Sequence, residues 1–505
     1  MRALRFCLVP LLAALCAPAQ DLKQFEKSVT EFTLANGLHF IVVERHGSPV
    51  VSFHTYVNAG WVDDPSGATG IAHMFERLAF KGTETIGTRN WQEEKPALDQ
   101  IEAVYTRLEA ERDKGPKADR RNIEQIENQL RVAIDVSKGF VAPDEFARIV
   151  AENGGVGLNA KTNTDSTEYS LSLPSNHIEL WFLLESQRLL HPVFREFYKE
   201  RDALAEENRA GVELNPRGNL LQEFRAAAFA AHPYRNPPGG WPSDVANLRA
   251  PDARRFFERY YVPGNMTIAI VGDVDPAAAK AMAERYFGPL TAHPPPPRLH
   301  TGEPPQAGPK AVVVESAAKP LLVLGYKRPD EFDKDDPVFD VAAMLLSIGR
   351  ASLMYRDLVR DKRLANAIEV LPTYPGGRYP GLFVFYAEPA PGRTAEENEK
   401  ELDGILDRFK SQKVDAKSLA RLKTQARMSV IRRLDDNTQL AGLMAASYGV
   451  YGDWRRLFSL LDDYANVTAE DLQRVARKYF TLQNRTLAYS APPAAVQPAA
   501  AGARP

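Results

Sequence analysis

The sequence predicts an α+β protein of two homologous halves, each a mostly antiparallel sheet covered by helices. Three observations carry that prediction. The first is an internal repeat, in which Leu248–Gly272 (LRAPDARRFFERYYVPGNMTIAIVG) aligns without a gap on Val467–Ala491 (VTAEDLQRVARKYFTLQNRTLAYSA). Ala250, Asp252, Tyr260, Asn265, Thr267 and Ala269 are matched at one constant offset by Ala469, Asp471, Tyr479, Asn484, Thr486 and Ala488. Each copy reads as an Asp-containing helix start, an amphipathic helix, a turn carrying Asn and an alternating strand. The second is the proline cluster Pro294–Pro297 with Pro304 and Pro305, a stiff spacer between the copies. The third is that apolar strand runs at 39–43, 51–57, 169–173, 312–314 and 382–386 mix with long helical patterns instead of alternating regularly with them, which argues against a doubly wound parallel sheet.

These signals divide the chain into an N-terminal domain at 20–290, a Pro-rich linker at 291–309, a C-terminal domain at 310–491 and an Ala/Pro-rich tail at 492–505 expected to be disordered. Within the first domain, Leu98, Ile101, Tyr105 and Leu108, then Ile123, Ile126, Leu130 and Ile134, repeat at helical spacing on either side of Gly115-Pro116. This is a helical hairpin inserted at about 91–138, either a rigid protrusion or an arm for docking a partner.

The 505 residues, 44% of them hydrophobic and 25% charged, have ordinary globular composition. With 63 basic against 65 acidic side chains, nothing electrostatic points to nucleic acid. At the N-terminus, Arg2 and Arg5 precede an apolar run from Phe6 to Leu15 and the small-residue site Ala17-Pro18-Ala19, the pattern of a signal peptide (1–19) cleaved after Ala19. The run is about half the ~20 residues of a membrane span, and Leu15 before Cys16 argues against lipid attachment there. The mature protein is thus expected in the periplasm or outside the cell, with no membrane span. Both cysteines, Cys7 and Cys16, lie in the removed segment, so no disulfide is expected.

Chemistry is suggested by Gly70–Thr83 (GIAHMFERLAFKGT), a helical stretch on which His73 and Glu76 share a face. Alone, His-x-x-Glu is a weak signal. Its surroundings resemble the pitrilysin/insulinase (inverzincin) family of zinc peptidases: Val57-Asn58-Ala59-Gly60 before it, Phe80-Lys81-Gly82-Thr83 after it, Leu158-Asn159-Ala160 with Asp165, Thr167 and Tyr169, Glu200–Asn208 (ERDALAEEN), His232-Pro233-Tyr234, and Gly349–Arg363 (GRASLMYRDLVRDKR).

The resemblance implies a clam-shell of two halves and a Zn2+ site in which His73 is the first ligand, Glu76 the general base, Glu207 the distal ligand and Glu200 a supporting carboxylate. Glu206 is a rival for Glu207 by spacing. It also implies a strand at Asn159 and Ala160 that pairs with an extended peptide, and Arg360 as a substrate contact. The chain departs from the family pattern twice. Arg77 stands where the second His ligand belongs, and Asn366 replaces the Tyr expected after Arg360. Arginine has no lone pair to donate, and it puts a positive charge where a dication would sit.

Two readings are open. In one, Arg77 pairs with Glu207, with Glu76 as a second candidate, and the chain is a peptide-binding pseudo-enzyme, the partner of a zinc-bearing paralogue. In the other, a different group completes the zinc shell and the chain is an active zinc-dependent endopeptidase acting on unfolded peptides. His54 is the one spare histidine near the motif, and nothing in the sequence aims it at the metal.

Overall fold

The computed structural model describes residues 25–316 and 318–492; the segment expected to be a signal peptide, both cysteines and the tail beyond Pro492 lie outside the described residues. Among the described residues, eleven strands form two sheets. The N-terminal half contributes β1 (Val29–Thr33), β2 (His39–Glu44), β3 (Val50–Val57), β4 (Val156–Thr162), β5 (Thr167–Pro174) and β6 (Met266–Gly272), in the order β1-β2-β6-β3-β5-β4. The C-terminal half contributes β7 (Lys310–Glu315), β8 (Leu322–Arg328), β9 (Ala365–Tyr374), β10 (Gly381–Pro389) and β11 (Arg485–Ala491), in the order β7-β11-β8-β10-β9. With β1 set aside, the orders superpose strand for strand, each with a single parallel pair: β2 on β6 and β7 on β11.

The repeat in the sequence is the same unit built twice. Helices Ala250–Tyr260 and Ala469–Tyr479 are followed by short turns and by β6 and β11. The matched asparagines do the same work: Asn265 donates to the Tyr260 carbonyl at 2.9 Å and Asn484 to the Tyr479 carbonyl at 3.2 Å, tying each helix end to the turn after it.

Six helices bear on the site and its frame: α1 (Ile71–Leu78), α2 (Trp91–Arg112), α3 (Arg120–Lys138), α4 (Phe197–Asn208), α5 (Pro216–Ala228) and α6 (Asn437–Tyr451). α2 and α3 lie side by side around Val104, Leu108 and Ile126. α5 and α6 are exchanged between the halves. From the C-terminal half, α6 lies on β3 and β6, where Leu440, Ala441, Met444 and Ala445 pack against Ile41, Val43, Tyr56, Ala269 and Val271. From the N-terminal half, α5 lies on β7 and β11.

Glycines admit the close contacts of this exchange. A methyl group on Gly325 would meet the Phe224 ring at 2.5 Å, and one on Gly449 would meet Tyr56 at 2.3 Å. The exchange also explains a departure from expectation. The sequence predicts that each copy of the repeat ends in an alternating strand, yet β6 is buried throughout, because Met266, Ile268 and Ile270 enter the core of their own half while α6 covers Ala269 and Val271 on the other face.

A polar junction completes the contact between halves. Arg378, in the loop between β9 and β10, donates to Asp63 at 3.1 Å, to Asn58 Oδ1 at 2.6 Å and to the Asp165 carbonyl. The Asp165 carboxylate in turn accepts the backbone N–H groups of Gly377 and Arg378 and the Tyr234 hydroxyl.

Glu331 sits against this junction. Burial, with Asp165 and Asp336 adding to it, pushes its carboxyl up to about 7 despite the nearby guanidiniums of Arg378 and Arg328. A carboxyl raised on folding favours the folded state below its unfolded pKa of 4.5, and that contribution is lost as pH climbs to about 7. Glu331→Gln is therefore expected to raise the thermal midpoint at pH 8 and to flatten its pH dependence between 4.5 and 7. An effect on the order of 2 kcal/mol is anticipated, and calorimetry across that range checks it.

Candidate functional site

The site is built on α1, whose start and end are fixed by buried polar contacts. Asp64 accepts the backbone N–H groups of Gly70 at 2.6 Å and Ala72 at 3.0 Å, satisfying donors that a helix start leaves free. Gly70 has φ 94°, and a methyl group there would lie 2.6 Å from the Gly239 carbonyl, so close approach and left-handed backbone both call for glycine. Asn208, the last residue of α4, donates to that same Gly239 carbonyl at 2.6 Å, which locks the end of α4 beside the start of α1. Beyond α1, the buried Arg195 saturates its guanidinium on the carbonyls of Lys81, Thr83 and Ile86 and on the Glu94 carboxylate. The loop after the motif is thereby pinned to the base of the hairpin.

Between α1 and α4 lies a continuous ion network. Arg77 Nε donates to Glu200 Oε2 at 3.1 Å and Nη1 to Glu207 Oε2 at 2.8 Å. Lys81 Nζ bridges Glu200 Oε1 at 2.7 Å and Glu196 Oε2 at 3.1 Å, and Lys199 reaches the other Glu196 oxygen at 2.7 Å. Burial draws the Lys81 ammonium down, but bonding to Glu200 and Glu196 outweighs it and the net shift is upward. Burial likewise pushes Glu196 up, and Lys199 and Lys81 more than reverse this, holding its carboxyl below the usual value.

Glu76 stands outside the network. Its Oε2 accepts the Thr162 backbone N–H of β4 at 2.5 Å and lies 3.9 Å from His73 Nε2, while His73 Nδ1 is buried with no hydrogen-bond partner.

Of the residues singled out from the sequence, Arg77, Glu200 and Glu207 come together, and His73 lies beside Glu76 on the same helix. The partners of Arg77 are Glu207 and Glu200, whereas Glu76, the second candidate, is turned to β4. Glu206 points elsewhere, paired with Arg209 on the surface. Asn159 and Ala160 lie on β4, the edge strand of its sheet, three and two residues before Thr162. Arg360 is in a wide helical turn of the C-terminal half and bonds the adjacent Asp361; Asn366 is exposed near the start of β9. His54 is committed to Glu168 at 3.2 Å. Sequence reasoning did not assign Lys81 or Glu196. Both carried a signal, since Glu196 precedes Glu200 by one helical turn and Lys81 follows Arg77 by the same four positions.

The donor set does not fit a catalytic zinc ion. Three protein ligands must converge on one point and leave a fourth position open. Here one position is a guanidinium without a lone pair, and that guanidinium already holds the distal carboxylate. Among the described residues no three His, Cys, Asp or Glu side chains converge as a metal site.

Two sheets of matching strand order, with the paired helices of the site, define a two-domain fold of the kind seen in M16-like peptidases. A sequence model of the insulinase family (peptidase family M16) matches residues 40–103, and a model described as the peptidase M16 inactive domain matches 247–426. Over these two segments the chain is similar to the insulinase (M16) family. It is 27% identical to the zinc protease PqqE of Helicobacter pylori over 470 residues, which is 91% of this chain and 92% of that protein.

The crystal structure of a protease from Helicobacter pylori matches with a TM-score of 0.76 at 26% identity, over 92% of this chain and 99% of that one. The periplasmic protease PqqL from Escherichia coli shares the fold, with a TM-score of 0.67 at 16% identity over 92% of this chain and 48% of its own. The inactive-domain match lies wholly downstream of the motif, so its description says nothing about position 77.

If Arg77 is what excludes the metal, Arg77→His is expected to give the mature protein stoichiometric, chelator-removable zinc, read by atomic absorption after dialysis. A variant that folds and stays metal-free would mean that Glu207 is not the distal ligand.

Proposed function

We propose that this chain is a peptide-binding member of the family whose own hydrolysis is impaired, and that it works beside a zinc-bearing paralogue. The observation that carries this reading is the bridge from Arg77 to Glu200 and Glu207, because the same guanidinium removes one ligand and occupies another. Parts that would hold a peptide are present, although Asn366 stands where the family pattern has a Tyr. β4 is an open edge strand with Asn159 exposed, suited to adding a further strand through main-chain hydrogen bonds. Arg360, about half exposed, would be a substrate contact in the same reading.

Export supports a periplasmic setting. The N-terminal pattern is that of a signal peptide, the related PqqL is described as periplasmic, and no helix of the described residues is long and apolar enough to cross a membrane.

The rival reading is a zinc-dependent endopeptidase with Glu76 as general base. It draws on the name zinc protease carried by relatives and on the retention of His73, Glu76 and Glu207. It requires Arg77 to leave both carboxylates, at about 1.5–3 kcal/mol for the bond to the largely buried Glu200 and about 0–1 kcal/mol for that to the exposed Glu207.

The two readings separate in one assay on the purified mature chain, with a quenched, unstructured peptide as substrate. The expected outcome is saturable peptide binding without cleavage, unaffected by chelator. Cleavage that chelator abolishes and that is lost in Glu76→Gln would establish the rival.

A further inference from the structure

The charge balance of the site points to the kind of peptide it holds, an inference that rests on the peptide-binding reading above. Four carboxylates, Glu76, Glu196, Glu200 and Glu207, face three fixed cations, Arg77, Lys81 and Lys199. A zinc ion would have brought two positive charges; Arg77 brings one, and spends it on Glu200 and Glu207. The uncompensated carboxylate is Glu76. Among the described residues no Lys or Arg nitrogen lies within 4.0 Å of it, and its nearest basic group is His73 Nε2 at 3.9 Å. Its side chain is about one-fifth exposed, so it has given up much of its hydration without gaining a cation.

Its position relates it to the peptide strand. The Thr162 N–H that Glu76 accepts points away from β5, and side-of-strand alternates with a period of two, so the main-chain groups of Ala160 face the same open edge. A strand added along Ala160 passes beside Glu76. We infer that Glu76, with His73 Nε2 next to it, anchors an ammonium group of the bound peptide, either a lysine side chain or the free α-amine.

The geometry favours ammonium over guanidinium. Two acceptor atoms 3.9 Å apart subtend roughly 90° at a nitrogen about 2.8 Å from each, within reach of the splayed N–H bonds of an ammonium. A guanidinium fork wants both oxygens of one carboxylate, whereas here the second acceptor is an imidazole nitrogen and Glu76 Oε2 has only its second lone pair free beside the Thr162 N–H.

The test is titration calorimetry of the mature chain, in low salt, with three unstructured decapeptides of otherwise identical sequence. One is capped and neutral, one is capped with a single lysine, and one is neutral with a free N-terminus. The expected result is that at least one cationic peptide binds about tenfold or more tightly than the capped neutral one, and that the preference collapses in Glu76→Gln. Which peptide gains distinguishes lysine from α-amine. Equal binding of all three by the wild-type chain, or a preference that survives in Glu76→Gln, would overturn the inference while leaving peptide binding intact. Failure of every peptide to bind would overturn the peptide-binding reading and this inference with it.

Discussion

A permanent cation held between two carboxylates decides what this site is. Arg77 reaches from α1 to two points on α4, Glu200 and Glu207, about two helical turns apart along that helix. The contact ties the helices together and cancels the charge that two facing carboxylates would otherwise hold in a partly buried place. Lys81 extends the same logic to Glu196. Removing Arg77 without replacing its charge would leave Glu200 and Glu207 underpaired, so the arginine has become structural where relatives named zinc proteases are expected to have a metal.

The shell around the site explains how the fold outlives a changed motif. Each half lends a helix to the other, α6 covering β3 and β6 and α5 covering β7 and β11, so neither sheet has both faces protected within its own half. Arg378, fully engaged with Asp63, Asn58 and Asp165, fixes the C-terminal half against the loop that leads into α1. The neighbouring Asp64 holds the start of that helix. The placement of the motif is therefore set by contacts that do not involve its ligands, and a substitution at position 77 leaves the frame standing.

Much of this was legible in the sequence where the signal is local or repeated. The copies around Asn265 and Asn484 gave the two-domain plan because the same tie between helix and turn is needed twice. His73, Glu76, Arg77, Glu200 and Glu207 were found by helical spacing together with the family resemblance; the structure pairs Arg77 with Glu200 and Glu207 and sets His73 beside Glu76. What the sequence could not show depends on long-range packing. β6 reads as one side of a sheet until α6, more than 160 residues later, is known to cover its second face. The bonds from Arg378 to Asp63 and Asn58 span more than 300 residues and leave no periodicity to read. Glu76 and Glu207 were both plausible partners for Arg77, and the choice fell to Glu207 and Glu200 because the Thr162 N–H claims Glu76.

The central claim is that Arg77 takes the place of the metal. Its most direct measurement is the zinc content of the wild-type mature protein, purified without chelator from zinc-replete cells and read by mass spectrometry of the native chain. The account predicts the mass of the bare polypeptide, with no zinc retained. One zinc ion per chain, lost on treatment with chelator, would contradict it.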